Sequence, residues 1–286
     1  MKALVLGTTG QVGLALSRSV PAGWTMEALG RDHADLTDPA GCAALVAASD
    51  ADVVINAAAY TAVDKAEEDE ATALLVNADA PTAMAKAAAA KGVPFLHVST
   101  DYVFDGQGTH AWAPESPVGP LGAYGRTKLA GERGVASAGG SYAILRTSWV
   151  FSADGANFLK TMLRLSETRD ALTVVGDQIG GPTPAADIAA ALWVMAAKLC
   201  DDPDVSGIYH FSGAPDVSWA DFAREIFAQA GRDVAVTDIP TADYPTPAVR
   251  PPNSRMDCSA TAQTFGIARP DWRAGLSACL RALDVV

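Results

Sequence analysis

The sequence predicts an α/β fold: a doubly wound parallel sheet in the first half, followed by a smaller C-terminal lobe. Two observations predict it. Strand-length apolar runs alternate with helix-length, Ala-rich segments through the first 150 residues, the pattern of successive βαβ units. A glycine-rich turn, Gly7-Thr-Thr-Gly10-Gln-Val-Gly13, follows the first apolar run directly and opens a helix pattern. That junction is where sheets of this kind hold a nucleotide phosphate.

The elements follow in order. Residues 3–6 read as the first buried strand and 12–20 as the first helix. A weaker strand at 26–29 leads to a helix at 40–48, a strand at 53–55 and a long helix at 71–90. A fourth strand at 95–98, a helix at 124–138 and a fifth strand at 143–145 complete the series. Apart from Glu27 and His97 these strands are apolar throughout, as strands covered by helices on both faces must be. Right-handed crossovers then bring the loops after the strands to one edge, where ligands bind.

After about Trp149 the pattern loosens. It predicts a helix at 158–165, a strand at 172–175, a loop at 176–184, a helix at 185–199, a strand at 208–211 and a helix at 219–230. Pro240, Pro245, Pro247, Pro251 and Pro252 lie close together, which predicts an extended surface segment. The expected division is a nucleotide-binding domain at 1–150 and a mainly substrate-binding lobe at 151–286, with elements of about 170–212 returning to the main sheet.

Composition narrows the function. A chain of 286 residues, 49% hydrophobic, can bury a large core. Its net charge of −12 leaves no basic surplus for a nucleic-acid backbone. The opening Met-Lys-Ala-Leu-Val-Leu-Gly is too short and too soon interrupted for a signal peptide, and no apolar run reaches membrane-spanning length. Cys42, Cys200, Cys258 and Cys279 are scattered, as in a cytoplasmic protein with reduced thiols. His33, His97, His110 and His210 show no metal-ligand spacing, so structural or solvent roles are expected of them and no metal site is.

The glycines Gly7, Gly10 and Gly13 permit a tight turn and close backbone approach to a diphosphate, and the helix start supplies free amides. Their spacing is three and three, not the two and three of the best-known fingerprint. The second strand runs into Gly30-Arg31-Asp32. Arg31 favours the 2′-phosphate of NADPH, and Asp32 beside it keeps NADH open. Asp35 and Leu36 are placed beside the adenine, and the small Ala57, Ala58 and Ala59 after the third strand flank the cofactor chain.

Ser99-Thr100-Asp101 ends the fourth strand on the binding edge. Tyr124 and Lys128 are four residues apart on the next helix, hence on one face. The Thr100 hydroxyl and the Tyr124 phenol form a donor pair for a developing alkoxide. A phenol is protonated at neutral pH, so Tyr124 can act as the acid of a ketone reduction. Lys128 is expected to stabilise the tyrosinate left behind and to anchor the nicotinamide ribose.

These motifs, with Asn56-Ala-Ala-Ala-Tyr-Thr61 and Ser99-Thr-Asp-Tyr-Val-Phe-Asp-Gly106, resemble the extended short-chain dehydrogenase/reductases of the Rossmann fold. Four further segments sharpen the match to one family within them, the dTDP-4-dehydrorhamnose reductases. They are Ala62-Val-Asp-Lys-Ala-Glu67, Arg146-Thr-Ser-Trp-Val150, Asn157-Phe-Leu-Lys-Thr-Met-Leu163 and Tyr244-Pro-Thr-Pro-Ala-Val-Arg-Pro-Pro-Asn-Ser-Arg255. The similarity runs to Pro270-Asp-Trp272, nearly the whole chain.

The resemblance implies reduction of the C4 ketone of dTDP-4-dehydro-L-rhamnose by NADPH or NADH, in dTDP-rhamnose biosynthesis. Thr100, Tyr124 and Lys128 would be the catalytic set. Gly7, Gly10, Gln11, Val12, Asp35, Leu36 and Ala57 to Ala59 would line the cofactor, with Tyr60 near the nicotinamide. Asp101, Tyr102, Trp149, Asn157 and Arg250 would contact the nucleotide sugar, Arg250 at its diphosphate, for which a guanidinium fork is suited.

Some family members bind Mg2+ through glutamates at a dimer contact. Here those stretches read Gly13-Leu-Ala-Leu16 and Pro184-Ala-Ala-Asp187, so Mg2+ is not expected; a homodimer stays open. Gly180-Gly181 in the substrate loop carries no reading. The related 4,6-dehydratases place a second carboxylate where this chain has Tyr102, which argues against dehydration. An epimerase is disfavoured by the Arg250 segment. A rival class is a non-catalytic NADP-binding subunit like the regulatory subunit of methionine adenosyltransferase, against which the complete Thr100, Tyr124 and Lys128 set speaks.

Overall fold

The computed structural model describes residues 1–286. Its main sheet has six parallel strands: β1 (Lys2–Leu6), β2 (Thr25–Leu29), β3 (Val53–Asn56), β4 (Phe95–Thr100), β5 (Tyr142–Thr147) and β6 (Gly207–His210). They lie in the order β6-β5-β4-β3-β1-β2. The chain steps from β1 outward to β2 and then back across to β3. The crevice of the sheet therefore opens at the carboxyl ends of β1 and β3. β2 is the exposed edge, which is why its apolar pattern is weak.

Alternate residues of each strand feed opposite layers. Ala3 and Val5 of β1 join a core closed by the helices Gln11–Arg18 and Ala185–Asp201. Leu4 and Leu6 join the opposite core with Val46, Met84 and Phe95. A third core, around Phe151, Phe222 and Trp272, lies under the second lobe.

The second half thus returns one helix and one strand, Ala185–Asp201 and β6, to the main sheet. The strand expected at 172–175 does not return. It forms as Ala171–Val175 and pairs in parallel with Ala235–Ile239 in a two-stranded sheet of its own. The partner strand exposes most of its residues, so it carries no apolar signal.

The helix expected at 71–90 is one rod with a wide turn inside it. Glu70–Leu74 is α-helical, Leu75–Asp79 is a π turn, and Ala80–Ala90 is α-helical again. Pro81 cannot donate to a carbonyl in the preceding turn, which lets the ladder slip there. No helix is long and apolar enough to cross a membrane.

Candidate active site

The glycine loop is built by crowding. Gly7 has φ +87°, and a Cβ on it would stand 2.5 Å from the Ala58 amide nitrogen. A Cβ on Gly13 would stand 2.2 Å from the Gly7 carbonyl oxygen. Loop, helix and the segment after β3 are therefore packed backbone to backbone. The helix Gln11–Arg18 begins at Gly10 with no side-chain cap, so its first amides stay available to an anion. This cradle fits a dinucleotide diphosphate.

Other residues expected at the cofactor fall into distinct roles. Val12 and Leu36 are buried in the two core layers, so their side chains face the core. Arg31 is exposed, with Asp35 4.0 Å away, and Asp35 accepts from the Thr37 amide at 3.0 Å. That backbone contact holds the Asp35 carboxyl below the usual range. Ala57, Ala58, Ala59 and Tyr60 line the half-buried turn after β3.

Sequence reasoning missed what pins that turn. Asn77 accepts from the Tyr60 amide at 2.8 Å and donates to the Tyr60 carbonyl and to Thr127 Oγ1 at 3.2 and 3.1 Å. It sits in the π turn and is fully buried. The wide turn so ties the cofactor segment to the helix Ala123–Ala136, which carries Tyr124 and Lys128. A single Asn within the Ala-rich stretch 71–90 is the signal the sequence offers.

Thr100, Asp101, Tyr102, Tyr124 and Arg250 come together. Thr100 Oγ1 donates to Asp101 Oδ1 at 3.1 Å and accepts from the Tyr102 amide at 3.2 Å. Tyr124 lies close enough to the Thr100 hydroxyl for that group to favour its ionised form, and its ring meets Tyr102 edge-on at 5.5 Å. Burial pushes Tyr124 up to about 12, with the Thr100 contact pulling the other way. Tyr102 is likewise raised by burial and by the Asp101 charge, and Arg250 opposes this. Burial raises Asp101 to about 6.

Lys128, one helical turn from Tyr124, turns its head group to β4. Its Nζ donates to the Val98 carbonyl at 2.7 Å and lies 3.1 Å from His97 Nε2. Burial pulls it down to about 8. The charge that Tyr124 feels most is that of Asp101.

Arg250 reaches the site from the proline-rich segment. Its Nη2 donates to Asp64 Oδ2 at 2.6 Å, and Asp64 Oδ1 also accepts from the Ala248 amide at 3.1 Å. Arg250 Nη1, Asp101 Oδ2, the Tyr60 hydroxyl and Thr147 Oγ1 are buried without a partner. Thr147 is the β5 neighbour of Thr100. Orphaned polar atoms concentrated in one region are what a polar ligand would complete.

Trp149 and Asn157 lie in a different setting. Trp149 has φ +48° and stacks on Trp219 with ring centroids 3.6 Å apart. Gly180 is required beneath it, since a Cβ there would stand 2.9 Å from the Trp149 indole; on Gly181 it would stand 2.2 Å from the Gly213 carbonyl oxygen. Asn157 was expected at the sugar, but its side chain is committed elsewhere. Its Oδ1 caps the helix Phe158–Ser166 at the Lys160 amide, and its Nδ2 donates to Gln11 Oε1 at 2.9 Å and to two carbonyls. Gln11 and Asn157 thus bind the glycine loop to the second lobe. No group of three or more His, Cys, Asp or Glu is placed to hold a metal ion.

Comparison with known proteins converges on one family. The family model described as RmlD substrate binding domain matches residues 1–285. The dTDP-4-dehydrorhamnose reductase of Sinorhizobium fredii is 45% identical over 95% of this chain and 94% of its own length. The crystal structure of a Clostridium acetobutylicum dTDP-4-dehydrorhamnose reductase superposes with a TM-score of 0.93 at 36% identity, covering 99% of this chain and all of its own. The Bacillus anthracis enzyme of that name, solved in complex with NADP, gives 0.90 at 32% identity over 98% of this chain and 99% of its own.

Proposed function

Given that the chain belongs to the dTDP-4-dehydrorhamnose reductases and is an oxidoreductase, we propose that it reduces the C4 ketone of dTDP-4-dehydro-L-rhamnose to dTDP-L-rhamnose. NADPH is the preferred donor and NADH the second. The observation that carries this reading is the Thr100–Tyr124 pair: a hydroxyl at the end of β4 and a phenol on the helix that follows, on the sheet edge that also carries the glycine loop.

Bound nicotinamide supplies the hydride. With substrate bound, Thr100 turns its single hydroxyl proton from Asp101 Oδ1 to the ketone oxygen, and Tyr124 gives its phenolic proton to that oxygen as negative charge develops. A phenol held near 12 enters the reaction fully protonated at neutral pH, as a general acid must. Lys128 supports the return of a proton to Tyr124. Arg250, Asp101, Tyr102 and Trp149 bind the nucleotide sugar. Gly7, Gly10, Gln11, Val12, Arg31, Asp35, Leu36, Ala57, Ala58, Ala59 and Tyr60 form the cofactor side.

The test is NADPH and NADH oxidation against a small panel of nucleotide 4-keto sugars. Turnover is expected with the dTDP-4-dehydro-L-rhamnose substrate and highest with NADPH. Tight NADPH binding without turnover of any of them would replace the reductase with the non-catalytic binding subunit.

A further inference from the structure

His97 stands between two side chains whose hydrogen bonds together determine where its proton sits. His97, Asn56 and Lys128 are all essentially without solvent exposure. Asn56 Nδ2 lies 3.1 Å from His97 Nδ1, and His97 Nε2 lies 3.1 Å from Lys128 Nζ. Asn56 cannot turn over freely, because its Oδ1 accepts the Ala58 amide at 3.1 Å. An amide nitrogen can only donate, so His97 Nδ1 must be the acceptor. In a neutral imidazole the proton then resides on Nε2 and points at Lys128.

An ammonium has no lone pair to receive that proton, whereas an amine has. We propose that His97 is a positioning residue which, oriented by Asn56, donates Nε2–H to Lys128 Nζ and so holds down the affinity of that side chain for a proton. The proposal rests on the reading of Lys128 as part of the reductase site. Its consequence there is direct. After Tyr124 has given its proton to the substrate oxygen, a lysine ammonium one turn along the same helix that releases its proton readily can restore the phenol through a bridging water, and solvent then restores the lysine.

The surroundings agree. Burial pulls Lys128 down to about 8, and burial with the adjacent Lys128 charge keeps His97 well below its ordinary value, hence neutral. The one carboxylate raising Lys128 is Glu132, one turn along the same helix. Glu132 is itself taken by Arg146 from β5 and by Ser99 from β4. From β4 the Val98 carbonyl accepts from Lys128 Nζ at 2.7 Å and from β3 Asn56 faces His97, and neither group carries a charge.

The direct experiment reads the 15N chemical shifts of the His97 ring in the 15N-labelled full chain, without cofactor, as pH is raised through 8. With four histidines in the chain, comparison with His97→Gln assigns the resonances. A bare Nδ1 and a protonated Nε2 are expected; a protonated Nδ1 with a bare Nε2 overturns the proposal. Asn56→Asp presents two acceptor oxygens, keeps the Ala58 bond and demands a proton on Nδ1. It should therefore switch the ring pattern, and an unswitched ring also overturns the proposal.

In turnover, His97→Gln offers Lys128 a carbonyl oxygen in place of a donor. The limb of the kcat–pH profile set by Lys128 should move up by about one unit, with NADPH affinity retained. A uniform loss of kcat with the limb unmoved would assign His97 a purely packing role and overturn the proposal. The ring measurement needs no substrate. Failure of the reductase reading would show separately, as absent turnover with the expected ring pattern intact.

Discussion

Arg146 and Glu132 form a two-pronged ion pair, Nε to Oε1 at 2.9 Å and Nη2 to Oε2 at 2.7 Å, with each side chain 2% exposed. Ser99 Oγ donates to the same Oε1 at 2.5 Å, one residue before Thr100. The pair therefore joins β5, the helix of Tyr124 and the end of β4 at one buried point. Arg146→Met would leave Glu132 charged, buried and without its cation. The expected cost is about 3–5 kcal/mol in urea unfolding, and the double replacement with Glu132→Gln should recover much of it. A single-variant loss near zero would mean that water reaches the carboxylate.

Tyr124→Phe removes the proton donor and leaves the packing against Tyr102. The expected result is a fall in kcat of about 10²–10⁴ with NADPH affinity unchanged. Near-normal turnover would remove Tyr124 from the acid role.

Arg250→Ala removes the cation that reaches the site from the proline-rich segment. The expected result is a rise of about tenfold to a hundredfold in KM for the nucleotide sugar, with KM for NADPH little changed. An effect on NADPH alone would relocate Arg250 to the cofactor side. Asp64, its present partner, is itself partly exposed, so the pair is well placed to exchange its carboxylate for a diphosphate.

Arg31→Ala tests cofactor choice. Arg31 is mostly exposed and its pairing with Asp35 is long, so the substitution has little structural cost. The ratio of kcat/KM for NADPH over NADH should fall by about tenfold. An unchanged ratio would place the source of the preference elsewhere.

Asp101 links stability to pH. Its carboxyl is raised to about 6 from an ordinary value near 3.8, chiefly by burial. The folded state thus favours the protonated form. That contribution is complete below about pH 4 and is lost as pH rises through about 6, on the order of 3 kcal/mol in all. Asp101→Asn should be flat across this window, so its stability relative to the parent should increase between pH 4 and pH 7 in denaturant titrations. Parallel curves for the two proteins would refute the assignment.

The parts of the fold that were legible in the sequence are those where local pattern and tertiary burial coincide. β1, β3, β4 and β5 are apolar because helices cover both faces, and the run is visible without the fold. Ala235–Ile239 and the helix Ser259–Phe265 were not legible. Each is short and largely solvent-facing, so a partner strand or a neighbouring surface, not an apolar run, makes it regular. The π turn was invisible because its π register depends on how the backbone ladder resolves around Pro81.

The same divide runs through the site. Gly7, Gly13, Thr100, Tyr124 and Lys128 were readable because turn geometry and helix periodicity are local properties of the chain. Asn157, committed to its helix cap and to Gln11, and His97, wedged between Asn56 and Lys128, were not. Gln11 lies 146 residues from Asn157, and Asn56 and Lys128 lie 41 and 31 residues from His97. By itself, the sequence determined the sheet, the glycine cradle and the tyrosine–lysine helix. Tertiary structure decided which polar groups stay free for a ligand and which are spent within the protein, because a buried donor or acceptor bonds whatever the packed fold brings within reach.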